Sequence, residues 1–212
     1  MPKKGRYGAE KFAKRKEDAY DTPANAVTPL MRLLQPMTSF IEPCAGQGNM
    51  IRALAAHGHI CVDAFDVAPR APGIRLGDAM DLGLGGKLDL TAADCFVSNP
   101  PWTRRLMHPI IMNLSQLLPT WLLFDADWMH TIQAIPILRR CRVILSVGRV
   151  RWIEGTDKAG YHNAAWYLFT PTERAPGEPI HYIERTKHDR DQNQRRRGRG
   201  RSRDRVAERE PA

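Results

Sequence analysis

The sequence predicts an α/β fold of three layers, with helices on both faces of a mostly parallel sheet and an antiparallel strand pair at one edge. Three observations predict it. Short apolar runs of strand length alternate with helically spaced segments along the middle of the chain, the pattern of parallel strands joined by helical crossovers. A small-residue turn, Pro43-Cys44-Ala45-Gly46-Gln47-Gly48, follows the first strand and precedes a helix. The last two strand-like runs have no helix between them, so an antiparallel pair is the economical connection.

Each element has its own signal. Residues 28–34 have the spacing of a short helix, and the apolar pair in Ser39-Phe40-Ile41-Glu42 reads as a strand. Residues 49–57 place Met50, Ala53, Leu54 and Ala56 on one helical face. A second strand covers 61–66, and Ile74-Arg75-Leu76 is a short third. Asp94-Cys95-Phe96-Val97-Ser98 is the fourth, a helix at 110–118 follows, and Thr120-Trp121-Leu122-Leu123-Phe124 is the fifth. Residues 131–138 form a helix that Pro136 interrupts. The strands at 142–147 and 164–169 complete the sheet.

At 212 residues and 42% hydrophobic content the chain suits one globular domain with a substantial core. No apolar run approaches the ~20 residues that cross a bilayer. Met1-Pro2-Lys3-Lys4-Gly5-Arg6 lacks a secretory apolar stretch, so a cytoplasmic protein is expected. Cys44, Cys61, Cys95 and Cys141 are scattered, and the seven histidines have no metal-ligand spacing. Neither a zinc site nor a disulfide framework is expected, and no metal is assigned. His108, His130 and His162 read as structural or solvated.

The net charge of +9 sits at the ends. Residues 1–17 carry seven Lys/Arg against two acids, and residues 187–212 carry ten against five, whereas 18–186 has fifteen bases and sixteen acids. The expected organisation is a basic arm at 1–17, a folded domain at 18–186 and an Arg-rich tail at 187–212. The run Arg195-Arg196-Arg197-Gly198-Arg199-Gly200-Arg201 has no apolar face, so the tail is expected to be disordered. Such a tail suits salt-sensitive contact with phosphate backbones. The partner this implies is a nucleic acid rather than a membrane, and the oligomeric state is left open.

Gly46 and Gly48 permit a backbone approach that a Cβ would block. This is not the dinucleotide fingerprint, because the third glycine position holds Ile51. The acids beside the turn are more informative. Glu42, at the end of the first strand, suits a cation such as an amino group. Asp66, 24 residues later at the end of the second strand, suits a pair of ribose hydroxyls. Asp78, followed by Ala79, comes after the third strand and suits an adenine amino group. Ammonium, ribose and adenine together describe S-adenosylmethionine.

Asn99-Pro100-Pro101-Trp102 follows the fourth strand. Two prolines remove two N–H donors and hold the chain extended, leaving a rigid set of acceptors beside an aromatic plate. That combination suits a planar group bearing an exocyclic amine. Glu42-Pro43-Cys44-Ala45-Gly46-Gln47-Gly48 and Asn99-Pro100-Pro101-Trp102 resemble the cofactor loop and catalytic tetrapeptide of Rossmann-like class I S-adenosylmethionine-dependent methyltransferases that modify adenine N6. Asp18-Ala19-Tyr20-Asp21-Thr22-Pro23 resembles the segment that closes over the methionine end of the cofactor in that family, which implies cofactor roles for Tyr20, Thr22 and Pro23. The motif order is that of the gamma arrangement, and the resemblance covers roughly residues 18–170. Gly148-Arg149-Val150-Arg151-Trp152 and Asn163-Ala164-Ala165-Trp166-Tyr167-Leu168-Phe169 are more loosely similar to small bacteriophage and prophage methyltransferases.

The resemblance implies that Asn99 and the Pro100 carbonyl accept the adenine amino hydrogens, with Trp102 stacking on the base. That position is often Tyr or Phe in the family. Nothing of the size of a base-reading domain remains in the chain, so weak sequence discrimination is expected. Phosphate contacts are expected at Arg149, Arg151 and Lys158 and at Arg195, Arg196 and Arg197. DNA is the favoured substrate and RNA the close alternative. Glutamine N5 methylation on a protein is less favoured because of the basic arms, and a non-catalytic nucleic-acid-binding module less again.

Overall fold

A computed structural model describes residues 21–81, 88–152 and 160–186, and the apolar residues of its strands divide between two faces. Among the described residues the strands are β1 (Ser39–Glu42), β2 (Ile60–Asp66), β3 (Arg75–Leu76), β4 (Cys95–Ser98), β5 (Thr120–Asp125), β6 (Cys141–Arg149), β7 (Asn163–Phe169) and β8 (His181–Ile183). They form one sheet in the order β3-β2-β1-β4-β5-β7-β6-β8. From β3 to β5 every pairing is parallel, and β6 is parallel to β8. β7 runs antiparallel to both neighbours, β5 and β6.

The α/β class, the mostly parallel sheet and the antiparallel β6/β7 pair agree with the sequence. Beyond that pair the sheet continues into β8, which forms the outer strand. His181-Tyr182-Ile183 has no apolar run to announce it, and its first two residues are exposed. Its backbone pairing with β6 is what makes it a strand.

Side chains of successive residues point to opposite faces of the sheet, and each face is covered by helices. On one face Phe40, Val97, Leu123, Leu145 and Trp166 pack with Ala26, Val27, Met50 and Leu54, from α1 (Ala24–Val27) and α2 (Asn49–Ala55). On the other, Ile41, Phe96, Leu122, Phe124, Tyr167 and Phe169 pack with Met107, Ile111, Leu114 and Ile137, from α3 (Arg104–Leu117) and α4 (Ile135–Leu138). The buried Trp166 indole donates to the Ala26 carbonyl at 2.8 Å, tying α1 to β7.

Local chemistry moves two helix boundaries. The expected helix at 28–34 becomes α1 followed by a 3₁₀ turn, Thr28–Arg32, with Pro29 in its first turn. α3 begins at Arg104 and runs through Pro109. Proline removes the N–H that would bond the Arg105 carbonyl, but Arg105 is exposed, so water can take that acceptor. Pro136 is accommodated in the first turn of α4. The free Cys95 and Cys141 are buried. Among the described residues no helix is long and apolar enough to cross a membrane.

Candidate active site

Parallel strands deliver their carboxyl ends to one side of the sheet. Between β1 and β4 the chain switches from building outward through β2 and β3 to building the other way through β5. A crevice outside the carboxyl ends at such a switch point is where open α/β sheets bind ligands. Glu42 ends β1 and Ser98-Asn99 ends β4, on neighbouring parallel strands. The two motifs named from sequence therefore flank the switch point.

Glu42 is only 2% exposed, and its Oε2 has no hydrogen-bond partner. Burial, then the nearby Asp66 charge, holds its pKa well above the ordinary carboxylate range. An orphaned buried carboxylate oxygen is costly unless a cation or donor meets it. The half-buried Cys44 thiol is pushed up by burial and then by Asp66, with Glu42 and Asp78 adding to the shift. The carboxylates at 42, 66 and 78 thus act on one small region.

The turn is built against β2. Ala45 N–H donates to the Phe65 carbonyl at 3.1 Å, and Gly46 N–H to Asp66 Oδ2 at 2.8 Å. Asp66 Oδ1 accepts from Ala68 N–H at 2.8 Å. Gly46 and Gly48 have φ of 53° and 72°, the left-handed region that disfavours a side chain. A Cβ on Gly46 would lie 2.7 Å from an Arg70 guanidinium nitrogen. That guanidinium donates to Asp21 Oδ1 at 2.7 Å, and Gln47 Nε2 donates to Asp21 Oδ2 at 3.2 Å. The Arg70 N–H also reaches the Gly46 carbonyl at 3.0 Å. Asp21 and Arg70 therefore roof the glycine turn, joining the segment before α1 to the loop after β2. Arg70 was not singled out by sequence, because its partner is 49 residues away; Asp21 was named only within the closing segment.

Thr22 is buried, Pro23 half-buried and Pro43 buried, while Tyr20 lies outside the described residues. Asp78 Oδ1 caps Met80 N–H at 2.9 Å, and the buried Ala79 offers a carbonyl that Asn113 Nδ2 meets at 2.8 Å from α3. A buried acid with one unpartnered oxygen, a glycine turn and two further acids at or just beyond strand ends fit the sulfonium nucleoside that the sequence suggested.

Asn99 is half-buried, Pro100 buried, Pro101 and Trp102 half-buried. Asn99 Oδ1 accepts from the Trp102 indole Nε1–H at 3.0 Å. Trp102 packs against side chains of both core faces. Trp152 meets it edge-to-face at 5.5 Å between ring centroids, with an interplanar angle of 87°. The stretch after β6 is thereby laid against the tetrapeptide, bringing Arg151 to its neighbourhood, whereas Arg149 is exposed at the end of β6. Lys158, Arg195, Arg196 and Arg197 lie outside the described residues, as do the two basic arms.

His108 is structural, as expected. Its Nε2 accepts from Trp128 Nε1–H at 2.9 Å, and burial followed by the Arg104 charge lowers its pKa. His162 stands close to Asp125 and Asp127, with one donor atom from each within 4.8 Å of the others. Sequence spacing did not bring these three together. Asp125 Oδ1 already accepts from Asp127 N–H at 3.0 Å, capping the turn after β5.

No protein-family model matches the sequence, and no curated protein matches it. Solved structures do share its architecture. A candidate RNA methyltransferase from Pyrococcus horikoshii superposes with a TM-score of 0.53 at 14% identity, covering 71% of this chain and 86% of that one. The methyltransferase subunit of a type I restriction-modification system from Streptococcus thermophilus superposes with a TM-score of 0.50 at 9% identity over 85% of this chain. This chain spans 53% of the Streptococcus protein's length. At these identities the likeness is one of fold, the mostly parallel Rossmann-like sheet that this chain shares with both proteins.

Proposed function

We propose that this chain is an S-adenosylmethionine-dependent methyltransferase acting on the N6 amino group of adenine in DNA, with low or short sequence specificity. The carrying observation is that Asn99-Pro100-Pro101-Trp102 directly follows β4 and the Glu42-to-Gly48 turn leaves its parallel neighbour β1. The methyltransferase domain comprises residues 18–186 in this reading, with the basic arms at 1–17 and 187–212 contributing phosphate contacts.

When bound, S-adenosylmethionine supplies an electrophilic methyl group. Glu42 would hold the cofactor's ammonium, Asp66 its ribose hydroxyls, and Asp78 with Ala79 its adenine. Thr22 and Pro23, with Tyr20, close the methionine end. Asn99 Oδ1 and the Pro100 carbonyl each accept one hydrogen of the target amine, drawing its lone pair out of the ring. With the methyl donor bound, these two acceptors would hold the amine lone pair toward the methyl group, and the surplus amine proton would leave to water. Acceptors that stabilise charge developing on nitrogen act mainly in the transition state, and no strong base is needed beforehand. A target base inside a duplex must first be unstacked. Arg149, Arg151 and Lys158 hold the flanking phosphates, and Arg195, Arg196 and Arg197 add salt-sensitive affinity.

RNA is the second reading, favoured by the Arg-Gly run of the tail, which suits single strands. The full chain with methyl-labelled S-adenosylmethionine and separate pools of DNA, RNA and protein tests both. Label is expected in DNA and, after digestion, in N6-methyladenine. Label confined to RNA selects the second reading, and label in neither nucleic acid refutes both.

A further inference from the structure

The proposed chemistry needs the oxygen of the Asn99 amide, not its nitrogen, to face the target amine. An amide is nearly symmetric in shape, and turning it over would set an NH2 group against another NH2 group. The side chain that settles this is three residues away. Trp102 Nε1–H donates to Asn99 Oδ1 at 3.0 Å, and an indole N–H is a donor only. It stabilises the orientation that presents the oxygen to the indole and opposes the flipped one.

We propose that Trp102 is a positioning residue that locks the Asn99 amide in its acceptor orientation, and the proposal rests on the methyl-transfer reading above. A carbonyl oxygen has two lone-pair directions. One takes the indole hydrogen, and the chemistry above needs the other to take an amine hydrogen. The indole is itself held, because Trp102 is half-buried, packed on both core faces and met edge-on by Trp152 at 5.5 Å. Trp152 follows β6, some fifty residues on, so the geometry of the tetrapeptide depends on the carboxyl-terminal half of the sheet. Phenylalanine at this position would preserve an aromatic face but has no donor. Tyrosine's hydroxyl both donates and accepts, and so does not discriminate between the two amide orientations. Only tryptophan combines a flat ring with a donor that cannot accept.

The test separates the hydrogen bond from stacking. In the full chain, Trp102→3-benzothienylalanine replaces the indole N–H with sulfur and keeps the two-ring face. With S-adenosylmethionine and an adenine-containing single-stranded oligodeoxynucleotide, kcat is expected to fall about tenfold while KM for the oligonucleotide stays within about twofold, the size of one lost hydrogen bond. Cofactor affinity measured by calorimetry reports that the variant is folded. Trp102→Phe repeats the comparison if the sulfur analogue fails to fold, with the same kcat loss expected. Unchanged kcat, or a raised KM at unchanged kcat, would make Trp102 a stacking plate only and overturn the proposal while leaving the methyl-transfer reading intact. A wild-type chain that methylates neither DNA nor RNA overturns that reading, and this proposal with it. In 15N spectra the Trp102 indole hydrogen should exchange with solvent faster in Asn99→Ala than in wild type; equal exchange overturns the hydrogen bond itself.

Discussion

The two halves of the sheet are built differently and carry different duties. In the half formed by β3, β2, β1 and β4 all strands are parallel, and Glu42, Asp66 and Asn99 stand at or just beyond carboxyl ends, with Asp78 shortly after β3. In the half formed by β5, β7, β6 and β8, an antiparallel strand is threaded between parallel ones. There the notable feature is an aromatic stack. Phe124 lies over Tyr167 at 4.2 Å between centroids and nearly parallel to it, with Trp128 edge-on to Phe124 at 5.1 Å. Parallel connections force several strand ends onto one side, where loops can converge on a ligand. An antiparallel insertion sends alternate ends away and favours continuous packing. The candidate site is therefore concentrated in one half and aromatic packing in the other, and the Trp152 contact with Trp102 joins them.

The sharpest break of this division is in the aromatic half. Phe124 is fully buried in the aromatic stack, and Phe124→Ala should cost about 3–5 kcal/mol of stability, a loss typical of large cavities. Chemical denaturation measures it, and methyl transfer per folded molecule should be nearly unchanged. A large loss of turnover in molecules still folded would show that the division is false.

Asn99→Ala is the converse experiment. Removing one electrostatic partner of a transition state typically costs about 10²–10³ in rate, so transfer should all but vanish. Stability should change by about 1 kcal/mol, chiefly because the Trp102 indole loses its acceptor. Cofactor affinity should hold. Retained turnover would remove Asn99 from the chemistry.

The smallest effect is a pH dependence confined to the half with the candidate site. Glu42 titrates above its unfolded value of 4.5 because burial and Asp66 oppose its charge. Its neutral form therefore contributes stability that is complete below 4.5 and is lost as pH rises through the folded pKa. A cofactor ammonium would draw the pKa down again, so binding should release a proton. Affinity should climb with pH between 4.5 and that raised value, by at most about tenfold per unit for one proton. Calorimetry in buffers of different ionisation heat measures the release, and Glu42→Gln should abolish it. Proton uptake on binding would contradict the role given to Glu42.

The legible parts of the molecule are those written in short stretches. The strand at 39–42, the turn through Gly48, the strand ending at Asp66 and the tetrapeptide after β4 all appear where their residues indicated. The apolar spacing indicated only the helix at 110–118, whereas α3 starts at Arg104 and runs through Pro109, and the carbonyl that this proline leaves unpaired belongs to an exposed residue. β8 was illegible because three residues, two of them exposed, become a strand only through β6. The Asp21–Arg70 roof was illegible because ion pairs 49 residues apart leave no local trace.

By itself the sequence determined the alternation of strands and helices, the flexible glycines, the identity of the acids and the stiffness of Asn99-Pro100-Pro101-Trp102. These depend on backbone preference and on hydrophobic spacing over a few residues. The tertiary structure alone decided that β1 and β4 are neighbours, that Asp66 is spent partly on holding Gly46, and that an indole N–H faces the Asn99 oxygen. Even that last contact, only three residues apart, depends on a rotamer held by Trp152 and both core faces. Side-chain orientation at a site is set by packing from across the fold, and packing is not a property of any short stretch of chain.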